Sequence, residues 1–169
     1  MPNFKLRLPS FLTRIFKRGP TVDELAQRAT RAAESILENE SLTADLDDVA
    51  ANVLIEWGVA CAKMIVQSTA SLDSAQAEEA MAPRLRAIRQ LMRSVNNWIA
   101  NQRGMDAEAN AASLARIIEQ AAIMYGENFI PPAQDQRDAF LKQQLEPSGT
   151  PQQWIANLRG LLENPSTTP

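Results

Sequence analysis

Between Val49 and Val66 the chain runs through eighteen residues in which only Asn52, Glu56 and Lys63, with Gly58, interrupt apolar side chains. No proline breaks the run, and it is too long for an ordinary strand. On a 3.6-residue period Asn52, Glu56, Lys63 and the following Gln67 fall within about 60° of one another. A helix that is apolar everywhere except along one thin stripe belongs at the centre of a fold. The rest of the sequence must then supply the helices that cover it. A membrane span is the rival reading, but Glu56 and Lys63 sit inside the window and acids crowd one end of it.

Covering helices are easy to find. Thr21-Val-Asp-Glu24 has the form of a capping box. Val22, Leu25, Ala29, Ala32, Ala33, Ile36 and Leu37 then keep the helical period to about Asn39. The apolar helix itself is expected to start between Leu42 and Asp45, with Asp45, Asp47 and Asp48 in a first turn whose dipole favours them. Asp73 opens the next helical region, with Gln76 at the reciprocal position, and Pro83 either kinks that helix or begins a new one. From there Leu85, Ile88, Leu91, Met92, Val95, Trp98 and Ile99 form one apolar face, which Gly104 ends. Asp106 caps a fourth helix carrying Leu114, Ile117, Ile118, Ala121, Met124 and Tyr125, with Gly126 as its C-terminal cap. A short helix with Phe140, Leu141 and Leu145 follows the stiff Ile130-Pro131-Pro132 link. A last one starts at Thr150-Pro151 and bears Trp154, Ile155, Leu158, Leu161 and Leu162. The expected fold is all-α: a single helical-bundle-like domain over residues 21–164, with four main helices plus shorter ones. A basic amphipathic arm (1–20) precedes it and a frayed tail (165–169) follows. The length of 169 residues and the 45% apolar, 22% charged composition suit such a domain.

Chemistry is narrowed most by what is missing. The chain has no histidine, which removes imidazole acid–base catalysis, the common Ser-His and Cys-His nucleophiles and imidazole metal sites. A single cysteine, Cys61, allows no internal disulfide and no thiolate cluster, and fits a reducing, cytoplasmic compartment. Cys61 shares a helix side with Trp57 and Met64 and reads as a buried thiol. Asp45-Leu-Asp-Asp48 and Asp135-Gln-Arg-Asp138 invite a Mg²⁺ reading, but the spacing lacks a further carboxylate, and helix-start acids explain both. No Gly-rich phosphate loop occurs. No catalytic residue, metal ligand, cofactor or small-molecule substrate is therefore assigned.

Charge is the remaining signal. Residues 1–18 hold Lys5, Arg7, Arg14, Lys17 and Arg18 and no acid, whereas the rest of the chain has twelve bases against twenty acids. After Pro9, a short helix would place Phe11, Leu12, Ile15 and Phe16 on one side and Arg14, Lys17 and Arg18 on the other. That pattern fits an anionic membrane surface, docking on protein or on the body, or a cleaved presequence. No secretory signal is present. In the body, Arg86, Arg89 and Arg93 span about 60° opposite the apolar face of their helix. Arg84 and Arg103 add to a stretch without acids, while residues 32–62 hold seven acids and no base. Such a stripe is either matched by acidic neighbours or offered to an acidic partner or second subunit.

Finally, Trp98-Ile-Ala-Asn-Gln-Arg-Gly104 recurs as Trp154-Ile-Ala-Asn-Leu-Arg-Gly160, differing at one position. Either two helix ends pack alike, or Trp98, Arg103, Trp154 and Arg159 mark two docking edges, since Trp and Arg often dominate interfaces. The functional expectation is a non-catalytic adaptor or accessory subunit, cytoplasmic or peripheral at a membrane. It would dock through its arm on a membrane or a larger assembly, with a protein partner or a second copy on the body. The alternatives are an accessory subunit of a nucleic-acid complex and a carboxylate-only, Mg-dependent helical enzyme. The acidic balance of the chain speaks against direct nucleic-acid binding.

Overall fold

Single side chains set the helix starts. In the computed structural model, which describes residues 19–102, 104–144 and 149–163 less the side chains of Glu40 and Gln144, all regular structure among these residues is helical. Helix α1 (Val22–Leu37) begins at a complete capping box: the Glu24 amide donates to Thr21 Oγ1 and the Thr21 amide to the Glu24 carboxylate. Helix α2 (Asp48–Ser68) is capped by Asp47, which accepts from the Val49 and Ala50 amides at 3.0 and 2.9 Å. Asp73 and Asp106 do the same for α3 (Ser74–Asn101) and α4 (Ala107–Tyr125). Gly126 ends α4 at φ +79°, a conformation that glycine adopts without steric cost. Two shorter helices complete the order, α5 (Gln134–Gln144) and α6 (Pro151–Glu163).

Three boundaries differ from the sequence reading or settle a choice it leaves open, and each has a local reason. The stretch before α2 is not helical: Glu40–Leu42 forms a 3₁₀ turn whose Leu42 is buried, so Asp45 lies outside the first turn of α2. There the Asp45 amide donates to Asn96 Oδ1 and Asn96 Nδ2 donates to the Asp45 carboxylate, both at 3.3 Å, pinning the turn to α3. Of the two expectations for Pro83, a new helix is excluded: α3 runs for 28 residues through it. Pro83 sits on the exposed side of α3, where water can satisfy the carbonyl one turn back. The two echoed segments also end differently, Gly104 lying past the end of α3 and Gly160 within α6. Residues 1–18 of the arm, Leu145 and the tail lie outside the described residues.

Helix α2 is the hub. It packs on α1, α3, α4 and α6, and eight of its residues are buried, among them Leu54, Trp57, Cys61 and Ile65. Its predicted polar stripe, Asn52, Glu56, Lys63 and Gln67, is exposed throughout. By length and composition α2 could also cross a membrane, and the protein's own helices cover much of its apolar surface. Gly58 lets the helices meet closely: a Cβ there would lie 2.6 Å from Met92 Sδ of α3 and 3.2 Å from Ile36 Cγ2 of α1. The most extensive helix pair is α3 with α4, while α5 rests on α6 and stacks Phe140 against Trp98 with ring centroids 5.8 Å apart.

Candidate functional site

Two surface features of the described residues bear most directly on function. The first is the predicted stripe on α3. Ile88, Leu91, Met92, Val95 and Ile99 bury one face of this helix, so the opposite face is turned outward, with Arg86 and Arg93 exposed and Arg89 half-buried. None of the three guanidinium groups has a carboxylate within ion-pair distance among the described residues. The described acids of residues 32–62 do not neutralise the stripe at contact range.

The second feature is an apolar groove of about 510 Å³ where the ends of α2 and α6 meet α3 and the turn after α4. Met64, Phe129, Ile130 and Leu162 provide its apolar surface, and Ser68, Arg84, Tyr125, Asn128 and Glu163 its polar groups. Arg84 Nε donates to the Met124 carbonyl at 2.8 Å and Nη1 to Ser68 Oγ at 2.7 Å, so this side chain ties the end of α4 to the end of α2. Burial pulls its pKa downward, and no carboxylate of the described residues pairs with it. Tyr125 Oη accepts from Trp57 Nε1 at 3.3 Å, donates to Glu163 Oε1 at 3.0 Å and lies 3.9 Å from Cys61 Sγ. Glu163 is held from its other side by Arg159 Nε at 3.0 Å. Burial pushes the Cys61 thiol up to about 11, and burial together with the neighbouring Cys61 raises the Tyr125 phenol. A thiol held protonated in this way is a poor nucleophile at neutral pH.

Of the other residues singled out from sequence, Trp98 lies in the core: it is 1% exposed and its Nε1 donates to Asn110 Oδ1 at 2.8 Å, leaving no surface to offer a partner. Trp154 is half-buried and lies so close over Gly149 that any Cβ there would collide with its indole. Arg159 is engaged with Glu163. Phe11, Leu12, Arg14, Ile15, Phe16, Lys17, Arg18 and Arg103 lie outside the described residues. Asp47 is taken up as a helix cap, and Asp138 accepts from Gln134 Nε2. Among the described residues no three Cys, Asp or Glu side chains gather as a metal-binding group.

Sequence reading passed over the groove, although one signal was present. Arg84 falls about 160° from Arg86 on the wheel, on the apolar side of α3 and off the stripe. A cation at an apolar position has to find its partners in the fold, and this one finds a helix terminus and a hydroxyl. Tyr125 and Phe129, whose rings stack at 5.7 Å, come together only through the turn at Gly126. No family model matches the chain, and neither a curated protein nor a solved structure matches it.

Proposed function

We propose that this protein is a non-catalytic helical adaptor. Its body offers the Arg86, Arg89 and Arg93 stripe to an acidic partner, and its basic arm docks on an anionic membrane surface or a larger assembly. The observation that supports this reading is the stripe itself: three cations on one face of a well-anchored helix, with no carboxylate partner among the described residues. Unpaired surface cations of this kind act on association rate and partner choice rather than on the fold. The arm contributes through its sequence alone, with five cations and three Phe within 18 residues.

Both halves can be tested on the full chain. The protein should bind a poly-glutamate peptide in low salt and release it as salt is raised, and the combined variant R86E/R89E/R93E should lose that binding with its helical content intact. Equal binding by the variant removes the stripe from the proposal. Co-sedimentation with anionic liposomes should require residues 1–19, and recruitment that persists without them removes the arm. Failure of either form to sediment would assign Phe11, Ile15 and Phe16 to contacts with protein.

A further inference from the structure

The groove carries a charge arrangement that the stripe does not. Its apolar surface, from Met64, Phe129, Ile130 and Leu162, is shared with two charged groups of different character. Glu163 is already satisfied by Arg159 and by the Tyr125 hydroxyl. Arg84 uses Nε and Nη1 on neutral acceptors, and its Nη2 has no hydrogen-bond or carboxylate partner among the described residues. The hollow between α1 and α3 differs, because Arg28 and Arg31 there share the lining with Glu24 and Glu78. An arginine in an apolar setting, bonded only to neutral groups, still has its charge to satisfy, and an anion with an apolar body satisfies both the cation and the wall.

We propose that the groove binds a single-chain amphiphile bearing one carboxylate, its hydrocarbon against Met64, Phe129, Ile130 and Leu162 and its head group on the open edge of Arg84. The volume of about 510 Å³ lies within the roughly 300–1,000 Å³ of small-molecule sites. Among the described residues the groove has one cation without a carboxylate partner and also contains the Glu163 carboxylate, which favours a monoanion over a phosphate dianion that would meet like charge. Ile130, which lines the groove just before Pro131-Pro132, is 69% exposed and so has apolar surface to offer a hydrocarbon chain. This site shares no residue with the stripe.

Titration calorimetry with decanoate and decanol, both below their aggregation limits, tests the assignment. Decanoate should bind about tenfold more tightly than decanol, the margin expected of a charge-assisted hydrogen bond. Arg84→Met should abolish that margin. Because Arg84 also ties two helix ends together, a second variant keeps the test decisive. Ile130→Glu changes an exposed residue and should weaken decanoate about tenfold by repulsion and lost apolar contact, with an unchanged melting temperature. Equal affinity for decanoate and decanol in the native protein overturns the proposal, as does decanoate binding that ignores Ile130→Glu. Decanoate that is inert while a peptide with a C-terminal leucine carboxylate binds would overturn it in favour of a peptide site.

Discussion

Two seven-residue stretches of this chain are nearly identical, and the fold uses them in opposite ways. In Trp98–Gly104 the tryptophan is sealed in the core between Asn110 and Phe140, and the helix stops before the glycine. In Trp154–Gly160 the tryptophan is half-buried over Gly149, and α6 runs through its glycine to Glu163. The difference lies in the residues just after each copy. Met105-Asp106 supplies a cap for a new helix, whereas Leu161 and Leu162 continue the buried face of the existing one. Neighbouring sequence therefore sets the environment of a motif as much as its own residues do.

The largest effect should come from the two tryptophans. Trp98→Ala removes a fully buried ring and leaves Asn110 without its donor, and should cost about 3–5 kcal/mol in urea unfolding. Trp154→Ala should cost about 1–2 kcal/mol, since only part of its area is withdrawn from water. Equal losses would mean that the two copies are packed alike after all. Alkaline pH should separate the two regions next. The Trp98 pair with Asn110 does not titrate, but α6 borders the Cys61–Tyr125–Glu163 cluster. Cys61 is raised from its ordinary 9.0 to about 11, so the native state keeps a proton that the unfolded chain releases. That contribution is complete below pH 9 and is lost as pH rises through 11, with Tyr125 acting in the same direction above its ordinary range. Hydrogen exchange should show α6 amides opening in this window ahead of those in α3, with a smaller response in Cys61→Ala. The smallest contrast lies in the glycines. Gly160→Ala, inside a helix with nothing within 4 Å, should stabilise by about 0.5–1 kcal/mol, and Gly104→Ala, beyond its helix end, by about zero.

These residues also show what one chain of letters reveals. Helix existence, the caps at Thr21, Asp73 and Asp106 and the buried face of α3 were legible because period and capping chemistry are local. Whether α3 continues through Pro83 stays open between two readings, since it depends on which side of the helix meets water. The Asp45–Asn96 clamp was not legible, since it joins residues 51 positions apart. The stripe could be read directly from a wheel. The groove could not, because its walls come from four separate helices and a turn.

The position of α2 has a consequence for how the molecule assembles. Its contacts with α1 and α3 join neighbours in the chain and can form while the intervening loops are short, whereas its contact with α6 must wait for three more helices. Since α6 is synthesised after α1–α5, a ribosome-bound chain passes through an interval in which the hub of the core still has one side uncovered. During that interval the nascent protein presents an apolar surface that chaperones recognise, and the rate at which the last helix docks sets how long the exposure lasts.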